Sequence, residues 1–390
     1  METHGEPVMM ARQPLFDAQR QVLGYEIRSE GPVSGVSVDT LTSGRMAFVR
    51  ISPEDLVAGR VDGLQAEQVV LQVPGDIDPT PEVREACAEL RRRGFRIALD
   101  RFVPADELSP LMRYVDFLTT EVAGAAAVMD RPVASLRPTH LPSIVAVGVD
   151  SMEDFDATRA LGCASFQGEF IARPKLTATS NIPASRLTYI RLLKAVQNPD
   201  LSVIELEELI KPDAAFCLRV LRAVNGAAYA QQTRITSLRQ ALLLVGVGTV
   251  REWATAWAVS QVGHGVPSEL IVMASVRGRF CELMSRGSIA STGGDGFLLG
   301  MCSLLDAILQ SPMPAILTHL ALCESNEAAL RGEHNGQRAL LDCAIAYERG
   351  QWEHSRRLAA GAGLDATLLP AAYNGAISWM ARFQELTVAA

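Results

Sequence analysis

The strongest constraint on the fold is a change of hydrophobic period partway along the chain. From residue 9 to about residue 180, short apolar runs alternate with helical segments. Strand candidates are Val22–Ile27, the end of Gly44–Ile51, Val69–Val73, Phe95–Leu99, Tyr114–Leu118, Pro142–Val149 and Phe166–Ile171. Between them, Ser52 opens a helix through Val57, and Pro81–Arg93 puts Val83, Cys87 and Leu90 on one face with Gly94 as its stop. Met152–Leu161 closes on Gly162 in the same way. Strands alternating with helices indicate βα units around a parallel sheet. The segment is shorter than the roughly 200 residues such barrels usually take, so the expectation is a trimmed or incomplete TIM-barrel-like domain over 9–175. Leu176–Ser185 is polar, carries Pro183 and reads as a linker, 176–185.

From Arg186 on, strand signals nearly vanish, and 186–390 reads as an all-helical domain. Leu187, Ile190, Leu193 and Val196 recur at helical spacing, as do Ile204, Leu206 and Leu209. A helix from Pro212 carries Phe216, Val220, Leu221 and Val224 and ends at Asn225-Gly226. Ser237 caps a helix closed by Gly246. Further helices are expected at Thr249–Val262, Glu269–Arg286, Phe297–Leu309, Ala315–Leu322, Gln337–Glu348, Trp352–Gly361 and Leu368–Arg382. Trp253 and Trp257 lie one turn apart and read as core. Trp352 and Trp379 should lock the last two helices in place. Asp306 interrupts an apolar helix and needs a partner, with Arg277 or Arg279 as candidates.

Composition closes off several functions. Residues 1–180 hold 18 Lys/Arg against 26 Asp/Glu, and the remainder holds 18 of each, so all of the net charge of −8 is in the first half. No basic stripe suggests nucleic acid or an anionic membrane as partner. The seven cysteines are scattered, with no Cys-x-x-Cys, which suits reduced thiols in the cytoplasm and argues against disulfides or a zinc site. No apolar stretch is long enough to span a bilayer, and Met1–Arg12 holds no apolar signal region. The expectation is a soluble cytoplasmic protein.

One strand end focuses the question of chemistry. Ile97-Ala98-Leu99 runs into Asp100, followed by Arg101. In a parallel barrel the C-terminal strand end faces the active-site mouth, and an Asp there suits a hard cation. Arg101 places a fixed positive charge where a second carboxylate would have helped.

Several short stretches together resemble an EAL domain, the fold of cyclic di-GMP phosphodiesterases. They are Gly24-Tyr25-Glu26-Ile27, Val49-Arg50-Ile51-Ser52, Val70-Leu71-Gln72, Ala98-Leu99-Asp100-Arg101-Phe102, Asp116-Phe117-Leu118-Thr119, Val145–Asp150 and Gln167-Gly168-Glu169-Phe170 with Arg173-Pro174. The resemblance implies a two-metal phosphodiesterase ancestry, in which clustered carboxylates hold the cations. It also implies that the cluster is dismantled. Glu26 keeps the signature glutamate, and Asp100 keeps the first aspartate of a pair. Arg50 stands at a ligand asparagine and Gln72 at a ligand glutamate. Arg101 replaces the second aspartate, Thr119 a lysine, and Val147 and Asp150 two glutamates. Two divalent cations need several anionic oxygens, so metal-dependent hydrolysis should be lost. No catalytic or metal-binding residue, and no cofactor, is expected. Glu26, Arg50, Gln72, Asp100, Arg101, Asp150 and Gln167 remain as a vestigial pocket, in which Arg50 and Arg101 should favour ion pairs with Glu26 or Asp100.

The second half resembles an HDOD domain through Leu218–Asn225, Ile235–Ala241 and Leu244-Val245-Gly246, with Phe297–Asp306 similar to proteins that join a degenerate EAL domain to an HDOD domain. Metal-dependent relatives of that module need a His-Asp pair, and none of the six histidines is followed by Asp. Three readings follow. The favoured one is a non-enzymatic signal-transduction or scaffold protein that binds other signalling proteins through the HDOD half. The second is a sensor that binds cyclic di-GMP or another nucleotide without cleaving it. The third, a working phosphodiesterase, is opposed by the ligand count. A homodimer is compatible with all three, though no coiled-coil heptads support one.

Overall fold

A computed structural model describes residues 8–31, 33, 35–102, 110–130, 141–173, 190, 193–195, 198, 200–211, 217, 220–221, 224–225, 235, 237–262, 266–286, 295–320 and 322–388. The chain divides into two units, Met1–Lys175 with Glu348–Gln351, and Leu176–Tyr347 with Trp352–Ala390. The expected linker at 176–185, the helix start at 212–216 and Gly226 lie outside the described residues.

The first unit is a closed eight-stranded barrel, with β1 (Met10–Asp17), β2 (Val22–Ser29), β3 (Met46–Arg50), β4 (Val69–Pro74), β5 (Arg96–Asp100), β6 (Phe117–Glu121), β7 (Ser143–Val147) and β8 (Ser165–Gln167) in sequence order. The expectation of an incomplete barrel is corrected here. The strand that completes it is β1, which the sequence reading passed over because Pro14 and the polar Arg12-Gln13 break the pattern of a buried strand. It pairs antiparallel with β2 (Gln13 opposite Glu26) and with β8 (Leu15 opposite Gln167), while the remaining pairs are parallel. Gly44–Ile51, expected from its sequence as a helix leading into a strand, has no helix: Gly44 takes φ +75° in the turn before β3.

The helices between strands follow their local signals. The α1 helix (Gly35–Thr42) was not anticipated. Ser52 caps α2 (Pro53–Val57) by accepting from the Asp55 amide. Thr80 caps α3 (Pro81–Arg92), whose Val83, Cys87 and Leu90 are buried. Burial pushes the Cys87 thiol up to about 11. The α4 helix is Ala125–Asp130. The α5 helix (Met152–Leu161) starts at the Ser151 cap and ends on Gly162 with φ 104°. Phe155 of α5 stacks on Phe170 at 4.8 Å, and Phe170 meets Phe16 of β1 edge-on at 5.3 Å, so rings bind the first strand to the segment after the last. The barrel is filled by Leu15, Phe48, Val70, Ala98, Phe117 and Val145.

In the second unit the helices are α6 (Val203–Ile210), α7 (Leu238–Val245), α8 (Val247–Val262), α9 (Ser268–Arg286), α10 (Gly296–Cys302), α11 (Leu305–Leu309), α12 (Met313–Leu317), α13 (Glu324–Leu330), α14 (Gly336–Glu348), α15 (Trp352–Gly361) and α16 (Leu369–Val388). The single helix expected over Phe297–Leu309 is broken at Ser303. There the Ser303 hydroxyl donates to the Gly300 carbonyl (2.7 Å) and accepts from Arg277 (3.0 Å). A Cβ on Gly300 would lie 2.5 Å from the Arg277 backbone, so α9 and α10 cross at glycine distance. Phe280, Tyr347 and Tyr373 form the aromatic centre. Trp352 packs edge-on against Tyr347 and Trp379 against Phe297. Trp253 and Trp257 are buried. No single helix among the described residues is long and apolar enough to cross a membrane.

Candidate functional site in the barrel mouth

Strand side chains alternate between faces, so the residues two positions beyond the barrel core line its C-terminal mouth. From Phe48, Val70, Ala98, Phe117 and Val145 this gives Arg50, Gln72, Asp100, Thr119 and Val147. The antiparallel β1 contributes Gln13, β2 contributes Glu26 and β8 contributes Gln167. The geometry of the layer therefore follows from the core beneath it.

Glu26 is the hub. Its carboxylate, 2% exposed, accepts from Gln167 Nε2 (2.6 Å) and Arg28 Nη2 (3.3 Å) and pairs with Arg50 (3.4 Å). The same Arg50 guanidinium lies 3.1 Å from Asp100, so one cation bridges the two acids. The Thr119 hydroxyl donates to Asp100 (2.9 Å) and accepts from the Arg101 amide (2.7 Å). Gln167 also donates to Gln13 (3.4 Å).

Two of the residues named from sequence stand apart from this set. Arg101 has a left-handed backbone (φ 52°), and its side chain pairs with Glu121 (3.6 Å) in solvent rather than with Glu26 or Asp100. Asp150, beyond β7, accepts from the Glu169 amide (3.3 Å), where it holds a loop and does not face Glu26. Gln72 is buried on the mouth layer, and its Oε1 has no hydrogen-bond partner.

Five participants were not among the site residues named from the sequence. Arg28 sits two residues beyond Glu26, and the strand period could have placed it on the same face. Gln13 was lost with β1. Glu169 receives Arg173 (2.5 Å) and both sides of the Arg349 guanidinium, and Arg349 carries no signal in the sequence that ties it to a barrel. Asp116 has a structural task. It accepts from the Ile97 amide (2.9 Å) and from Arg91 (2.7 Å), which fixes the strand that ends in Asp100 to α3.

Beside Arg50, the ends of β3, β4 and β5 border an open cleft of about 1290 Å³, lined by Gln72, Asp76, Asp78, Asp100 and Arg101 among others. Its floor depends on close backbone approach, because a Cβ on Gly75 would lie 2.3 Å from the Asp100 carbonyl oxygen. The donors present do not fit a pair of divalent cations. The two acids that meet share a guanidinium, and the other side chains around them, Thr119, Gln72, Gln167 and Gln13, bring neutral oxygens. Among the described residues no three His, Cys, Asp or Glu side chains gather where they could hold a metal.

In the second unit, burial pushes Asp306 above the usual carboxylate range, opposed by the Ala307 amide (2.8 Å) and by Arg277. Of its two candidate partners only Arg277 acts on it. Arg279 is taken by Glu252 (3.2 Å) and Glu282 (2.6 Å).

The chain, a closed barrel followed by a helical unit, has relatives over most of its length. Residues 182–280 match the HDOD domain family. The chain is 25% identical to the Uncharacterized protein YuxH of Bacillus subtilis, over 95% of this chain and 98% of that one. It is also 25% identical to the Cyclic di-GMP phosphodiesterase CdgJ of Vibrio cholerae, over 88% of this chain and 85% of that one. Among solved structures, the calcium/cyclic-di-GMP complex of BlrP1 from Klebsiella pneumoniae overlaps 43% of this chain and 56% of that chain, at 19% identity and a TM-score of 0.34.

Proposed function

We propose that this protein acts in cyclic di-GMP signalling as a non-enzymatic component, with a barrel that has lost hydrolysis and an HDOD region that binds other signalling proteins. The observation that carries the reading is Arg50, held between Glu26 and Asp100. A fixed guanidinium there neutralises the two acids and opposes a divalent cation by charge. The likeness to a cyclic di-GMP phosphodiesterase over most of both chains supports the signalling context.

A second reading, a sensor that binds the cyclic dinucleotide without cleaving it, is favoured by one feature. The cleft offers Arg50 and Arg101 for phosphate oxygens. Calorimetric titration with cyclic di-GMP, with and without Mg²⁺ or Mn²⁺, separates the readings. No binding supports the scaffold, and micromolar or tighter binding without turnover supports the sensor. Release of a linear dinucleotide would overturn the loss of catalysis.

A further inference from the structure

The barrel mouth is asymmetric. On the side of β3 to β5, Arg50 is half-exposed, with 52% of its side chain accessible, and the cleft is open. On the side of β1, β2 and β8, Glu26 and Gln167 are almost completely buried. The difference coincides with a short piece of chain that is remote in sequence yet belongs to the barrel unit, Glu348–Gln351.

This tetrapeptide is fastened at both backbone and side chain. Arg28 of β2 donates to the Arg349 carbonyl (3.0 Å), and Gln13 of β1 donates to the Glu348 carbonyl (3.5 Å). The Arg349 guanidinium grips both carboxylate oxygens of Glu169, just after β8. Gly350, with φ 69°, supplies the turn that lets carbonyl and side chain face the strands together. The contacts thus fall on the three neighbouring strands that carry Gln13, Glu26 and Gln167. Arg28 serves both sides of the arrangement, holding Glu26 below and the Arg349 carbonyl above.

We infer that Glu348–Gln351 is a built-in cap over the β8–β1–β2 side of the mouth, latched by the Arg349–Glu169 ion pair and leaving the β3–β5 side open to ligands. The latch is bidentate and part-buried, which gives it direction as well as charge. It remains an ion pair near solvent, so salt should loosen it. The cap does not depend on the signalling reading, since it concerns access alone.

Thiol labelling of the full-length protein tests it. Gln167→Cys places a probe beneath the cap, and Cys323, which is exposed, serves as the internal standard in peptide-resolved mass spectrometry. The expected result is slow labelling at position 167, rising at least tenfold when Arg349→Ala is added and also rising with NaCl concentration. Should Arg349→Ala impair folding, Glu169→Gln removes the charge with little change of shape and carries the same expectation. Equal labelling rates with and without the latch, in variants of unchanged melting temperature, would overturn the inference.

Discussion

Both units bring arginines to acids, and the two sets behave differently. In the barrel mouth, Glu26 within β2 and Asp100 at the end of β5 each collect hydrogen-bond donors in addition to Arg50. In the helical unit, Glu252 and Asp306 lie against packed helices, and burial pushes both above the ordinary carboxylate range. Arginines offset that effect only in part. Polar groups converge on the mouth acids by strand register, whereas the helical unit carries its charges at some cost. Convergence of polar groups is what a binding or catalytic site needs, so the difference singles out the mouth as the candidate site.

The largest effect should come from Glu26→Ala. It strands the buried Gln167 amide and leaves Arg28 and Arg50 without their shared acceptor, at about 2–3 kcal/mol. Thermal unfolding of the barrel should move down by about 5–10 °C. A shift under 2 °C, roughly 1 kcal/mol or less, would erase the contrast between the two regions.

Asp100→Ala is the next step down. Thr119 loses an acceptor and Arg50 one of two partners, for about 1 kcal/mol. The melting temperature should fall with no change in nucleotide binding. An unchanged melting temperature with abolished binding would transfer the argument to the sensor reading. Arg50→Ala should cost less than 1 kcal/mol, roughly, because half its side chain already meets water. Its informative readout is Mn²⁺ affinity by calorimetry, which should rise once the bridging cation is gone, although Gln72 still withholds a ligand.

The smallest effect concerns pH. The folded-state pKa of Asp306 is raised, so its stabilising contribution is complete below the unfolded value of about 4. That contribution is lost as pH rises through the folded value. At pH 7 the charge is therefore a burden, and Asp306→Asn, which keeps an acceptor for the Ala307 amide, should equal or exceed the wild type in denaturant unfolding. The difference should shrink as pH falls toward 4. A variant less stable at pH 7 than the wild type would show that Arg277 more than repays the burial of the charge.

Much of this was legible from residues alone. Apolar runs announced seven of the eight strands, though Tyr114–Leu118 and Phe166–Ile171 overlap β6 and β8 by only two residues each, and Ser151 and Gly162 marked both ends of α5. Glu26, Arg50, Gln72, Asp100 and Gln167 fall on one layer because a barrel repeats its strand period around a ring. The misses have physical causes. The first strand hid behind Pro14, which lies outside the Leu15–Asp17 stretch that pairs with β8. Arg101 lies next to Asp100 in sequence, but a left-handed backbone sends it to Glu121. The break at Ser303 is imposed by Arg277, twenty-six residues away. Arg349 reaches Glu169 across 180 residues, a separation that no local pattern encodes.

The way the barrel closes also sets an order in time. Its first strand pairs with its last, Leu15 with Gln167. At a synthesis rate of about 5–20 residues per second, β1 waits roughly 8–30 s on the ribosome before β8 exists. During that interval one edge of the growing sheet is unpaired, and such edges invite pairing with other chains. The residues that cover Gln13, Arg28 and Glu169 arrive later still. A nascent chain of this protein therefore passes through a stage in which the ring is complete but its charged mouth is bare, and one side of it can shut only after residue 351 has been added.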